Sequence, residues 1–149
     1  MCANRFLIAV LFLFGWGSYA MQPQTSIVVV AHKDFPTSGK TTEEIKEIIK
    51  KLFLRSKYRI EGGKRIIIID RKKKKIIDEF YSNFVGKSYN SITDIKGRRV
   101  RMFKVNHRNL INIIKGDRMS VGYTYSDRIT PEEKEKIKIL FSLGEEGMR

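Results

Sequence analysis

The chain holds a single cysteine, Cys2, and two histidines, His32 and His107, among 149 residues. Because Cys2 precedes an apolar run and nothing after it is cysteine, disulfides, thiolate nucleophiles and cysteine-ligated zinc are excluded from the body of the protein. His32 and His107 are not spaced with each other or with carboxylates as a metal site requires, and both read as surface histidines. No Asp or Glu is paired for acid and base work, and no Gly-x-Ser-x-Gly elbow occurs. The sequence therefore predicts a noncatalytic protein without a metal or cofactor. Acidic residues are also scarce, 16 against 30 Lys and Arg, for a formal charge of +14. Such an excess attracts anions: phosphate-like solutes, acidic polymers, anionic lipid surfaces or nucleic acid.

Long hydrophobic runs are missing but for one near the start. Arg5, the apolar stretch Phe6 to Trp16 and the small-x-small sequence Ser18-Tyr19-Ala20 have the order of a secretory signal. The stretch is short for a membrane span and no second one flanks it, so residues 1–20 are expected to be removed and the product to be periplasmic. Export makes nucleic acid the least natural partner. Residues 21–149 suit one domain with one core, and the positive excess barely changes, since Arg5 is the only charged residue set aside.

Residues 26–31, Ser-Ile-Val-Val-Val-Ala, predict a strand covered on both faces. A polar turn follows, and Thr41 with Glu44 forms a capping box before Ile45, Ile48, Ile49, Leu52 and Phe53 recur at helical spacing. Glu61-Gly62-Gly63-Lys64 predicts a turn and Ile66 to Ile69 a second buried strand. Ile76, Ile77, Phe80, Tyr81 and Phe84 mark a helix closed by Gly86. Residues 87–99 read as a loop or short helix, and Val100 to Val105 alternate. Asn106 caps a short helix through Ile114, and Met119 to Tyr125 is a strand whose Gly122 marks a close approach. Ile137 to Leu143 fits a helix or a last strand. Alternation of this kind predicts an α/β three-layer sandwich, a mostly parallel sheet with helices on both faces.

Between the second strand and its helix stand five cations, Arg71-Lys72-Lys73-Lys74-Lys75. In an α/β fold such turns hold ligands, because main-chain N–H groups and the helix dipole converge there. The alternative is a solvated lysine face. Ser38-Gly39-Lys40-Thr41-Thr42 resembles the end of a phosphate loop, but Asp34 stands where the earlier glycine is needed, which removes nucleotide binding. Ser38, Thr41 and Thr42 remain either anion contacts or helix caps. Arg98-Arg99-Val100-Arg101 with Lys104 and Arg108 is a second basic cluster, either a solvated face or an adhesive patch.

Three stretches in order, Ile27 to Val30 with Thr42 to Phe53, Phe80 to Ser88, and Ile113 to Tyr123, resemble the periplasmic substrate-binding proteins of phosphate ABC transporters. The resemblance spans residues 26–125 and corresponds to about one lobe of a type II periplasmic binding protein. It implies binding of phosphate or another oxyanion at helix starts, with ABC transporter membrane subunits or another envelope protein as partners. Arg71 matches the family's anion-binding arginine by position, and Tyr123 either returns towards the cleft or packs between helix and sheet. The family's Ser-Gly-Thr turn is absent: Lys72 to Lys75 occupy its place. Lysines offer flexible hydrated point charges where hydroxyl and N–H donors would wrap a dehydrated ion, so the expected site is open and salt-sensitive. The expected ligand contacts are Ser38, Thr41, Thr42, Arg71, Lys72 and Tyr123. The other function that fits is a basic envelope module holding an acidic polymer, an anionic membrane surface or a partner protein.

Overall fold

A five-stranded sheet organises the computed structural model, which describes residues 25–54, 63–93 and 102–144. The expected leader, Met1 to Ala20, lies outside the described residues, as do Glu61, Gly62, Arg98, Arg99, Val100 and Arg101. The strands are β1 (Ile27–His32), β2 (Ile67–Arg71), β3 (Met102–Val105), β4 (Ser120–Tyr125) and β5 (Ile137–Leu143), in the order β3-β2-β4-β1-β5. β2 is parallel to β3 and β4, while β1 runs antiparallel to both its neighbours, β4 and β5. All strands but β1 therefore share one direction.

Helices cover both faces. α1 (Thr42–Phe53) starts at the capping box of Thr41 and Glu44, and its inward Ile49, Leu52 and Phe53 join Val29, Ile68 and Tyr123 in the larger core. α2 (Lys74–Phe80) continues into a π-turn, Tyr81–Val85, which Gly86 closes at φ 78°, a left-handed conformation natural to glycine. Phe80 stacks on Tyr123 with ring centroids 3.7 Å apart and 5° between planes, and Phe53 meets both edge-on. A short α3 (Tyr89–Thr93) ends this layer.

The opposite face is covered by α4 (His107–Gly116), whose Leu110, Ile111 and Ile114 pack on Val28, Val30 and Ile69. Gly122 lets this helix lie close. A Cβ there would run into Leu110 Cδ1 and come within 3.1 Å of the Ile69 carbonyl, the close approach its place in a strand predicts. After β4 a short α5 (Pro131–Lys134) leads into Ile137–Leu143, which is a strand and not a helix.

Two differences from expectation matter for function. β2 runs two residues beyond its apolar stretch, taking Asp70 and Arg71 into the sheet, both buried. β1 runs against the other strands, because both of its edges pair antiparallel.

Candidate anion site at the carboxyl ends of β2 and β3

Alternation along β2 sends successive side chains to opposite faces. Asp70 turns towards α2, where its carboxylate accepts from Tyr81 Oη at 3.0 and 3.2 Å and from Tyr123 Oη at 2.8 Å. Arg71 turns towards α4. The chain leaves β2 for α2 on one face and β3 for α4 on the other, so the carboxyl ends of these adjacent parallel strands form a switch point of the topology, the kind of place where open α/β sheets hold ligands.

Arg71 is 7% exposed, and its Nε and Nη1 are buried with no hydrogen-bond partner. No ion pair among the described residues uses it. Burial lowers its pKa, and Arg128 nearby acts in the same direction, yet a guanidinium stays charged at any physiological pH. Each buried donor left unpaired costs about 1–3 kcal/mol, more when it carries charge. The protein therefore keeps a cation here with donors to spare.

Around Arg71 stand the start of α4 and the loop after β4. Val105 pairs with Arg71 in the sheet and accepts from the Lys72 N–H at 3.1 Å, which brings Asn106 and His107 to the same edge. Asn106 caps α4 by accepting from the Asn109 N–H at 2.9 Å, and the first-turn N–H groups of this ten-residue helix carry its positive end. His107 Nδ1 lies 3.0 Å from Thr124 Oγ1 and Nε2 lies 3.8 Å from Glu133 Oε2. Burial first, then Arg71, lower the His107 pKa, with Glu133 opposing. The imidazole is therefore neutral at pH 7, and the local positive charge comes from Arg71 and exposed Arg128, with the Glu133 carboxylate opposing it.

The sequence-predicted contacts do not converge on this point. Lys72 is exposed and lines a different cleft, on the α2 side of the sheet. Tyr123 is fully buried between helix and sheet, and its hydroxyl donates to Asp70; burial raises its pKa, and Asp70 adds to the effect. Thr41 Oγ1 accepts from the Glu44 N–H at 3.3 Å and caps α1, and Thr42 opens that helix. Ser38 lies in the loop that β1, running against the other strands, starts at the amino ends of β2 and β4. Among the described residues no hydrogen bond or ion pair joins Ser38, Thr41 or Thr42 to Arg71.

Read from the sequence, His107 is only a surface histidine and Arg128 is not singled out, although the Asn106 cap is legible there; the missing link was that β3 ends beside β2. His107 is not a free surface histidine, since Thr124, which it contacts, is fully buried. His32 is also mostly buried, and its Nδ1 accepts from the Asp34 N–H at 3.0 Å within a local turn.

The class this architecture defines is an α/β three-layer sandwich with a buried, unpartnered arginine at its parallel strand ends. No family model matches the chain, and no curated protein matches it. Among solved structures it is similar to an ABC-type phosphate transport receptor from Vibrio cholerae, at 10% sequence identity and a TM-score of 0.47, over 77% of this chain and 45% of that one. The chain thus spans less than half the length of that receptor.

Proposed function

We propose that this is an exported, noncatalytic binding protein for phosphate or a similar oxyanion, of the periplasmic substrate-binding type, which takes its ligand between Arg71, Arg128 and the start of α4. The observation that carries the reading is the Arg71 guanidinium, buried with two unpartnered nitrogens. A bound oxyanion supplies what that group lacks: acceptors for its donors and a countercharge in a partly desolvated setting. The α4 N-terminus adds N–H groups and a favourable dipole. His107, held by Thr124, borders the site. Partners in an envelope transporter follow from this reading, as does periplasmic export through Met1 to Ala20.

Calorimetry of the protein against phosphate and sulfate tests the site. Saturable 1:1 binding, abolished by Arg71→Met and kept by Lys72→Gln, is expected. Unchanged affinity in Arg71→Met, or no saturable binding to either ion, overturns the reading.

A further inference from the structure

A second cleft lies across β2 from Arg71. Its volume is about 620 Å³ and it is lined by Lys72 from the β2–α2 turn, Lys74 from the start of α2 and Lys104 from β3, together with Asp78, Ser82 and Tyr89. Lys104 pairs in register with Asp70, the residue that faces α2, so this cleft and the Arg71 site lie on opposite faces of the sheet. Lys74 forms an ion pair with Asp78 one helical turn on. Lys72 and Lys104 are exposed and, among the described residues, in no ion pair; the Lys104 Nζ lies 4.2 Å over the Tyr89 ring.

Three features select the occupant. Among the described residues no guanidinium lines the cleft, and hydrated ammonium groups hold a lone phosphate weakly, whereas a chain of linked charges sums such contacts and releases counter-ions. Tyr89 is the one aromatic side chain among the described lining residues; Lys104 lies over its ring and Tyr81 packs against it in a T-shaped contact at 5.1 Å, a poor platform for stacking successive bases. A membrane surface does not suit a concave wall. The one large exposed hydrophobic residue among those described, Ile139, stands on β5 at the far edge of the sheet.

We propose that this cleft holds a base-free linear phosphate chain of the inorganic polyphosphate type, at a place separate from the Arg71 site. Lys72 and Lys104 contact successive phosphates, and Lys74 exchanges Asp78 for the ligand.

Fluorescence anisotropy of end-labelled long-chain polyphosphate, titrated with the full chain over a salt series, tests this. Changing Lys72, Lys74 and Lys104 together to Gln is expected to weaken binding about tenfold and to lower the slope of log affinity against log salt by about two. These side chains are exposed, and an unchanged circular dichroism spectrum verifies that the variant folds. An equal charge loss elsewhere, Lys33, Lys134 and Lys136 to Gln, is expected to leave affinity within about twofold, since exposed charges beyond a Debye length are screened. Arg71→Met is expected to leave polyphosphate binding intact, which separates this site from the first. The proposal is overturned if polyphosphate does not bind, if the control variant loses as much, if orthophosphate competes at equal phosphate concentration, or if oligothymidylate of equal charge binds as tightly.

Discussion

Arg71 and Lys72 are neighbours in sequence and carry the same charge, yet the sheet gives them opposite circumstances. Arg71 ends a strand, is buried against α4 and lacks partners for two nitrogens; Lys72 begins a turn and stands in water. The first arrangement suits a small ion that satisfies fixed donors, the second a flexible polyanion that exchanges with salt. Net charge is therefore a poor guide to where recognition happens in this molecule. What separates the two sides is burial together with hydrogen-bond satisfaction.

The sharpest break in the comparison comes from the scaffolding on each side. Phe80→Ala removes the ring stacked on Tyr123 and is expected to cost about 3–5 kcal/mol in chemical denaturation. Leu110→Ala, on the buried face of α4, is expected to cost about 2–5 kcal/mol and also to weaken phosphate binding, because α4 carries one wall of the proposed anion site. Equal loss of phosphate affinity in both variants would erase the distinction between the faces.

Next comes Arg71→Met. Removing a buried cation whose donors are unpaired is expected to abolish oxyanion binding while leaving the melting temperature of the ligand-free protein unchanged or raised. A structural arginine would give the reverse, a large drop in melting temperature. Smaller is the effect of pH. The His107 pKa is lowered in the folded protein, so between that value and the ordinary histidine value near 6.5 the unfolded chain binds more protons, and stability rises with pH through this window. His107→Gln is expected to flatten the rise in melting temperature measured from acid to neutral pH. Last, Lys73→Gln, at an exposed position, is expected to change stability by less than about 0.5 kcal/mol.

How much of this was legible depends on the element. α1 and α4 could be read because caps and apolar spacing agree at Thr41 with Glu44 and at Asn106. The three-layer arrangement followed from alternation of strands and helices. The extension of β2 could not be read, because Asp70 and Arg71 have the chemistry of a turn; Asp70 is satisfied in the sheet by hydroxyls 11 and 53 positions away, on Tyr81 and Tyr123. Nor does a six-residue apolar strand state its direction, so the reversal of β1 was hidden. Of the site, Arg71 was legible from its place after a buried strand. His107 and Arg128 were not, since tertiary packing alone brings them to it.

The reversed β1 also bears on the timing of assembly. Its two partners come late in the chain: Val29 pairs with Tyr123 on one side and with Phe141 on the other. An interior strand made early thus waits for β4 and β5 before either of its edges is paired, and pairing over such sequence separations slows folding.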